Sequence, residues 1–506
     1  MTWANGSNGR FDFTTEVPSA SSLGSVHFIA IGGAGMSGVA RVMLAQGIAV
    51  SGSDAKESLV LSALAAEGAV VHVGHDASHV VGADTVVISS AIREGNVELR
   101  EARARGLRVM HRSQALASVM RGSRKVAVAG ANGKTTTTSM LTVALQYCGL
   151  DPSFAIGGEL AKHGTNAHHG TGDIFVAEAD ESDGSFLVYR PEVAIVTNVQ
   201  PDHLDFYGTF EAVQAAYARF AATVQPQGLL VTCADDQGSR ALAEVARAAG
   251  TRVITYGVAS DADVRLTELG GVGLRAHALL VGAGLDGVGL ENVVLGRLEI
   301  GMPGRHNLLN ATAAFVAATE GLGQEPALVL EGLAGFTGTR RRFEPKGEVA
   351  GVRVVDDYAH NPGKVTALVE TASSIAAPGR LVVVFQPHLY SRTRDFAAEL
   401  ATALSPAEVV IVMDVYAARE DPLPGVTGAL IADRLLEAVQ RHPHEGERFV
   451  RFVPSWSEVA PLVAQLAEPG DLVVTVGAGD VTMIGPEILR LLTQRLDPTA
   501  VSAGQE

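Results

Sequence analysis

The chain has 506 residues, of which 47% are hydrophobic and 19% charged, a balance typical of globular proteins and a length that suits about three domains. The formal net charge of −16 makes nucleic acid and anionic membrane surfaces unfavourable partners. Cys148 and Cys233 are too few for a disulfide framework, so we expect a cytoplasmic protein, and no apolar run reaches the length of a membrane span.

The first two segments of the chain differ sharply in composition. Residues 1–24 are rich in Ser, Thr, Gly and Asn, which predicts a disordered tail and argues against a signal peptide. From 25 to 118, short apolar runs such as VHFIAI alternate with helix-like stretches, which predicts a small parallel α/β domain.

A glycine loop lies inside this first domain. Residues 33–38 fit the pattern G-x-G-x-x-G before a helix, and Asp54 ends the next strand near the distance at which a carboxylate meets a ribose hydroxyl. By itself the loop predicts a Rossmann-like domain, with NAD as a possible ligand. The alternative is a tight turn without a ligand.

A second glycine-rich turn follows within VAVAGANGKTTTT, residues 126–138. Gly130 and Gly133 allow backbone N–H groups to point at an anion. Lys134 supplies positive charge for phosphates, and Thr135 offers a hydroxyl to Mg²⁺. The strand before the turn and the helix after it favour a nucleoside triphosphate site over a turn with a solvated lysine, although Val128 replaces the first glycine of the full pattern.

The domain that carries this loop is predicted to span 119–337, with an antiparallel segment at 259–303 and a helix from about Asn307. Two of its apolar runs end in polar clusters, EADESD at 178–183 and PDHLD at 201–205. In a parallel sheet these clusters face the ligand, and Glu178 suits Mg²⁺. A lone histidine such as His203 is more often structural, so its residue type favours no ligand role.

A third α/β unit is predicted for 338–495, followed by a frayed tail at 496–506. The arginines at 340–342 are either a solvated run or a group that reaches a γ-phosphate. DDYAHNP at 356–362 and FQPHLYSR at 385–392 both follow buried strands.

The ordered motifs resemble those of the Mur ligase family from about residue 25 to 490: IGGAGMSG, AGANGKTTTT, EADESDGSFL, TNVQPDHLDFY, GRHNLLNA, FTGTRRRFE, DDYAHNP, FQPHLYSRT and DVYAARE. The resemblance implies an α/β enzyme of three domains: an N-terminal Rossmann-like UDP-binding domain, a central P-loop ATPase domain and a C-terminal Rossmann-like domain. The resemblance implies that the first glycine loop binds the UDP of a substrate and not NAD. It also implies that His203 lies at the metal site.

Within the family, the motifs are similar to those of ligases that join L-alanine to the lactyl carboxylate of UDP-N-acetylmuramate, the first stem-peptide step of peptidoglycan synthesis. The implied cofactors are ATP and Mg²⁺, the implied partners are these two small molecules, and the expected state is a monomer or homodimer. A ligase that attaches a recycled tripeptide to the same UDP-sugar is the nearest alternative. An NAD-dependent oxidoreductase and a non-catalytic nucleotide-binding module are less favoured, because neither explains all the motifs.

The resemblance also assigns roles to residues by their place in the motifs. The catalytic residues would be Lys134, His203 and Arg341, and the metal residues Thr135, Glu178 and His203. ATP would be bound by Gly130, Ala131, Asn132, Gly133, Lys134, Thr135, Thr136, Asn307, Asn310, Arg341 and Asp357. The UDP-substrate would be bound by Gly33, Ala34, Gly35, Met36, Asp54, Ser90, Arg112 and Asn166. L-Alanine would be bound by Tyr358, His360, His388 and Arg392.

Four departures from the usual family pattern stand out. Asn132 replaces a histidine of the phosphate loop, Leu389 replaces an arginine, and Asn361 stands where a second histidine is common. The segment FEAVQAAYARF contains no lysine of the kind that several relatives carbamylate, which agrees with an L-alanine ligase.

Overall fold

The computed structural model describes residues 9–160, 164–282, 293–418, 420–441 and 448–496. Three sheets carry the fold of these residues, with five, ten and six strands. As far as they are described, the residues form two compact units, Met1–Gly301 with Arg305–Thr339 and Met302–Gly304 with Arg340–Glu506. The first two sheets lie in the first unit, so our domain borders after residues 118 and 337 stay a prediction.

The first sheet is wholly parallel, in the order β3-β2-β1-β4-β5. Its strands are β1 Val26–Ile29, β2 Val50–Asp54, β3 Val70–Val73, β4 Thr85–Ile88 and β5 Arg108–His111. Its helices are α1 Ala34–Ala45, α2 Leu59–Ala66, α3 Val97–Ala104 and α4 Arg112–Val119. The strand order reverses between β1 and β4, which places a ligand crevice at their carboxyl ends.

Residues 9–24 correct one prediction. Phe13 and Leu23 are fully buried, and the Arg121 side chain donates a hydrogen bond to the Val17 carbonyl oxygen. The prediction of a disordered tail is therefore wrong for residues 9–24, because three apolar side chains spaced along a polar segment suffice to anchor it. Residues 1–8 lie outside the described part of the chain.

The second sheet surrounds the phosphate loop, in the order β15-β14-β13-β12-β11-β10-β6-β9-β7-β8. Its strands are β6 Arg124–Ala129, β7 Ser153–Ala155, β8 Ala167–His168, β9 Ile174–Glu178, β10 Val193–Val196, β11 Leu229–Cys233, β12 Arg252–Gly257, β13 Val264–Val272, β14 Arg275–Gly282 and β15 Val293–Ile300. The helices are α5 Lys134–Tyr147, α6 Leu204–Tyr207, α7 Phe210–Ala222, α8 Gln237–Ala248, α9 Arg305–Val316 and α10 Pro326–Ala334.

The strands of this sheet fall into a parallel central part and an antiparallel edge. β6, β9, β10, β11 and β12 are parallel and buried, whereas β13, β14 and β15 form an antiparallel ribbon at one edge. This ribbon confirms the antiparallel segment predicted for 259–303 over its described residues. One hydrophobic core continues from the first sheet into the second, which explains why both belong to one compact unit.

The third sheet, in the order β16-β17-β21-β18-β19-β20, is parallel except for β16. Its strands are β16 Glu344–Val349, β17 Val352–Asp357, β18 Leu381–Phe385, β19 Val409–Val412, β20 Phe449–Phe452 and β21 Leu472–Val476. Its helices are α11 Pro362–Ala376, α12 Tyr390–Leu404, α13 Ala429–Arg441, α14 Trp456–Leu466 and α15 Ile484–Leu496. Among the described helices, none combines the length and the apolarity needed to cross a bilayer.

Candidate active site

The phosphate loop is the turn between β6 and α5. Gly130 has φ +134° and Gly133 has φ +88°, both in the region that favours glycine. A Cβ atom at Gly130 would lie 2.0 Å from Thr197 Oγ1, and one at Gly133 would lie 2.5 Å from Asn310 Oδ1. Both glycines are therefore required by the backbone and by close neighbours, as a tight anion cradle demands.

Lys134 is the first residue of α5, and its ammonium points back into the loop. Its Nζ donates to the Gly130 carbonyl oxygen at 2.6 Å and to a Glu181 carboxylate oxygen at 2.8 Å. Burial lowers the pKa of Lys134, but the charges of Glu181 and two neighbouring carboxylates outweigh that effect, so the pKa is raised. The lysine is thus a fixed, protonated cation at the loop.

Thr135 and Glu178 are also in contact. The Thr135 hydroxyl donates to Glu178 Oε2 at 3.0 Å, and the Gly157 N–H donates to the same atom at 2.8 Å. Within the described residues, no group of three or more His, Cys, Asp and Glu side chains is arranged to hold a metal ion. A hydroxyl and one carboxylate next to a phosphate cradle nevertheless fit Mg²⁺, which keeps water and phosphate oxygens among its ligands.

His203 lies on the same side of the sheet, directly before α6, with φ +54°. Its Nε2 is 3.7 Å from Glu181 Oε1 and 3.9 Å from Asp202 Oδ2. Lys134 and His203 therefore both lie near the same buried carboxylate.

The beginning of α9 packs against the phosphate loop. Asn307 and Asn310 are buried, and their side-chain amides lie 3.5 Å apart. Asn132 lies in the phosphate loop itself, and its backbone N–H donates to Asn198 Oδ1 at 2.9 Å. Ala131 and Thr136 are buried in the loop and in the first turn of α5.

A cleft of about 490 Å³, which the sequence did not indicate, lies near this helix start. It is lined by Ala234, Asp235, Gln237, Arg240, Val258, Ala259 and Arg305. It follows the carboxyl ends of β11 and β12, so it continues the edge at which the phosphate loop lies.

The residues predicted for the UDP-substrate gather around the start of α1. Asp54 Oδ2 accepts the Gly32 N–H at 3.0 Å. Asn166 reaches over from the second sheet and donates to the Ala34 carbonyl oxygen at 2.7 Å. A Cβ atom at Gly35 would lie 3.2 Å from Arg112 Nη1, so this guanidinium lies against the loop. Gly33 precedes α1, and the Met36 side chain is buried in the core.

One acidic segment, Glu178–Asp183, contacts residues of the first sheet as well as the phosphate loop. Arg112 Nη2 donates to Asp180 Oδ2 at 2.6 Å, and Ser90 Oγ donates to Asp183. Glu178 and Glu181 face the phosphate loop instead. The segment thus connects the predicted UDP-substrate residues with the predicted ATP residues.

The residues predicted for L-alanine come together in the second unit. Tyr358 and His360 have ring centroids 5.2 Å apart, and His360 and His388 are 5.4 Å apart. Arg392 Nη1 is 3.4 Å from His388 Nδ1. Burial, with the charges of Lys364 and Arg392, lowers the pKa of His360 well below its usual value.

Arg341 and Asp357 flank this group. Arg341 Nη2 donates to the Gly477 and Gly479 carbonyl oxygens at 2.6 and 3.0 Å, and its guanidinium carbon is 4.9 Å from the Tyr358 ring centroid. The Asp357 carboxylate accepts the N–H groups of Phe343 and Ala359 at 2.8 and 2.7 Å. Burial raises the pKa of Asp357, against the charge of Arg342.

The sequence reasoning missed a buried carboxylate in the first sheet. Glu98 accepts hydrogen bonds from Ser53 at 2.6 Å and His79 at 2.8 Å, and His75 Nδ1 lies 3.2 Å away. Burial raises its pKa, but hydrogen bonds from His27, Ser53 and His79 outweigh that effect and bring the pKa to about 2. Three histidines in HVGHDASH at 72–79 were the signal in the sequence.

Three domain models of one protein family match most of the chain. The Mur ligase family catalytic domain matches residues 25–124, the Mur ligase middle domain matches 128–318, and the Mur ligase glutamate ligase domain matches 341–479. The chain belongs to the Mur ligase family. It has the three-domain α/β architecture of Mur ligases, as the motifs predicted.

Individual Mur ligases are similar over nearly the whole length. The UDP-N-acetylmuramate–L-alanine ligases of Kineococcus radiotolerans and Renibacterium salmoninarum are each 55% identical, over 95% and 93% of this chain and 98% and 96% of their own. The crystal structure of UDP-N-acetylmuramate–alanine ligase from Thermotoga maritima is 28% identical, with a TM-score of 0.76 over 93% of this chain and 99% of that one.

Proposed function

We propose that this Mur ligase joins L-alanine to the lactyl carboxylate of UDP-N-acetylmuramate with cleavage of ATP to ADP and phosphate, the first stem-peptide step of peptidoglycan synthesis. The substrates are inferred from the relatives at 55% identity, whose names state UDP-N-acetylmuramate and L-alanine. The observation that carries the chemistry is the acidic segment Glu178–Asp183, which contacts Lys134 and Thr135 of the phosphate loop and also Arg112, the arginine that lies against the first glycine loop.

The reaction has two steps. The lactyl carboxylate attacks the γ-phosphate of ATP, so that an acyl phosphate forms and ADP leaves. The amine of L-alanine then attacks the carbonyl carbon, the amide bond forms, and phosphate leaves with the bonding electrons while the amine loses a proton. The first step joins two anions, so the protein must offset their repulsion.

Lys134 would supply that positive charge at the β- and γ-phosphates, since it is protonated and held at the loop. Mg²⁺ at Thr135, Glu178 and His203 would supply further charge neutralisation on the phosphate oxygens. Asn307 and Asn310 lie beside the loop and are assigned to ATP, as the motifs also assign Arg341 and Asp357.

Arg112 and Asp54 are assigned to the UDP-substrate, because they lie against the first glycine loop. Arg392 is assigned to the carboxylate of L-alanine, since an arginine binds a carboxylate with two parallel hydrogen bonds. Tyr358, His360 and His388 would form the rest of that site. The proposed setting is the cytoplasm, with a monomer or homodimer as the active form and domain borders near 118 and 337.

One assay tests the proposal. Purified protein is incubated with ATP, Mg²⁺, UDP-N-acetylmuramate and either L-alanine or the tripeptide L-Ala-D-Glu-diamino acid, and products are identified by mass. We expect UDP-N-acetylmuramoyl-L-alanine with stoichiometric ADP. Preference for the tripeptide would favour the recycling ligase, which the names of the 50–55% identical relatives do not favour. ADP release without amide product would refute ligation.

A further inference from the structure

His111 and Asp183 bridge the first sheet and the acidic segment. His111 Nε2 is 3.1 Å from Asp183 Oδ2, and Ser90 Oγ is 3.1 Å from the same nitrogen and donates to Asp183. The His111 side chain is fully buried, and that of Asp183 is 10% exposed. None of the sequence motifs assigned a role to either residue.

The hydrogen bonds of the His111 ring indicate which atom donates in the contact with Asp183. His111 Nδ1 accepts the Ser113 N–H at the beginning of α4, at 3.3 Å. With Nδ1 as the acceptor, the matching tautomer carries its hydrogen on Nε2, from which it can donate to Asp183. Burial opposes the charge of Asp183, but the hydrogen bond from His111 and the charge of Arg112 outweigh it, so the pKa of Asp183 is lowered and the carboxylate is ionised.

The N-terminal segment covers the His111 side of this pair. The rings of Phe11 and Phe13 each lie 5.4 Å from the His111 ring, centroid to centroid. Gln114 Nε2 donates to the Asp12 carbonyl oxygen at 3.1 Å, which ties the segment to α4. A charged hydrogen bond that is shielded from water is stronger than an exposed one.

A rigid turn connects Asp183 to the phosphate loop. The Ser185 N–H donates to Asp183 Oδ1 at 3.1 Å, and the Gly184 N–H donates to the Glu181 carbonyl oxygen at 3.0 Å. The Tyr207 hydroxyl donates to the same carbonyl oxygen at 2.5 Å. Glu181, two residues from Asp183, holds Lys134. A displacement of Asp183 is therefore passed to the lysine.

We propose that His111 and Asp183 form a clamp that sets the distance between the UDP-substrate residues and Lys134, and that both are positioning residues for phosphoryl transfer. The clamp rests on the proposed function, because the two sides that it joins would carry the attacking carboxylate and the γ-phosphate. A misplacement of about 1 Å between reacting groups lowers the rate by about 10²-fold.

The kinetic test uses His111→Asn, whose shorter side chain does not reach Asp183, Asp183→Asn and the double variant, with kcat divided by the number of ATP-analogue sites titrated in the same sample. We expect each single variant to lower this kcat by about 10- to 100-fold, the KM for ATP to change by less than about twofold, and the double variant to lose no more than the worse single. Unfolding alone would lower the number of ATP sites instead. Glu16→Gln, in the exposed ion pair of the same segment with Arg121, is the control and should match wild type.

A kcat within about twofold of wild type in either single variant, or additive losses in the double, would overturn the clamp. If one variant does not fold, the other decides by the same limits. Failure of the proposed function is a different result, since wild type itself would then form no alanine product.

A distance measurement tests the clamp even in that case. Spin labels at Leu59→Cys on α2 and Val245→Cys on α8, both exposed, report the separation of the two sheets in a Cys148→Ser background. We expect one narrow distance distribution, which broadens with Asp183→Asn. An unchanged distribution would overturn the clamp.

Discussion

Removal of the Lys134 ammonium should separate the catalytic role that we propose for this residue from its contribution to stability. Its Nζ contacts a Glu181 carboxylate at 2.8 Å, and the two side chains are 14% and 2% exposed. In Lys134→Ala the buried Glu181 loses this partner and keeps His203, whose Nε2 is 3.7 Å away. Both catalysis and folding should therefore suffer.

The two losses have different sizes and different remedies. Loss of one preorganised electrostatic contact in the transition state costs about 2.7–4 kcal/mol, so kcat should fall by about 10²- to 10³-fold. Loss of one partner of a buried ion pair costs about 3–5 kcal/mol of stability. The double variant Lys134→Ala/Glu181→Gln removes the isolated charge, so it should recover most of the stability and none of the activity.

The assay combines steady-state kinetics with urea unfolding of wild type, Lys134→Ala and the double variant at pH 6 and pH 8. Burial raises the pKa of Glu181, and loss of Lys134 would raise it further. The stability loss of Lys134→Ala should thus be largest at pH 8 and shrink at pH 6, because Glu181 takes up a proton. A single variant that keeps most of its kcat, or a double variant less stable than the single, would refute the reasoning.

Three further tests address the residues proposed for the metal, the arginine proposed for L-alanine, and the buried Glu98 of the first sheet. Glu178→Gln and His203→Ala should each raise the Mg²⁺ concentration needed for half-maximal rate, while the Kd for UDP-N-acetylmuramate stays unchanged. Loss of UDP-N-acetylmuramate binding instead would contradict the assignment of these two residues to the metal. Arg392→Ala should raise the KM for L-alanine by at least about tenfold, whereas Arg394→Ala on the same helix, exposed and paired with its neighbour Asp395, should not. Glu98 has a folded pKa of about 2 against 4.5, so its carboxylate contributes about 3 kcal/mol above pH 4.5 that is lost as the pH falls towards 2. The unfolding free energies of wild type and Glu98→Gln should accordingly converge over that range, and a constant difference would argue against this pKa.

Local sequence was sufficient for the two glycine loops. Gly130 and Gly133 adopt positive φ and Lys134 begins a helix, which the strand–glycine–GKT order predicted without any long-range information. The alternation of apolar runs with helical stretches likewise predicted the parallel sheets, because a strand buried on both faces needs a continuous apolar sequence.

The sequence predicted the role of a residue less well where that role depends on the neighbours that the fold places around it. His203 has an ordinary sequence context, and only the family motif gave it a role at the metal; the structure adds its proximity to Glu181. Leu389, where an arginine is usual, is 8% exposed with φ +69°, a backbone state that its residue type does not predict.

By itself, then, the sequence determined the loops, the sheets and the family, since backbone preferences and hydrophobic periodicity act within a few residues. Tertiary structure alone decided which carboxylate of Glu178–Asp183 faces which cation. It also decided that Phe11 and Phe13 pack on His111, and that His111 meets Asp183, which lies 72 residues further along the chain. The physical reason is that ion pairs and burial depend on groups brought together from distant positions, and no local pattern records that proximity.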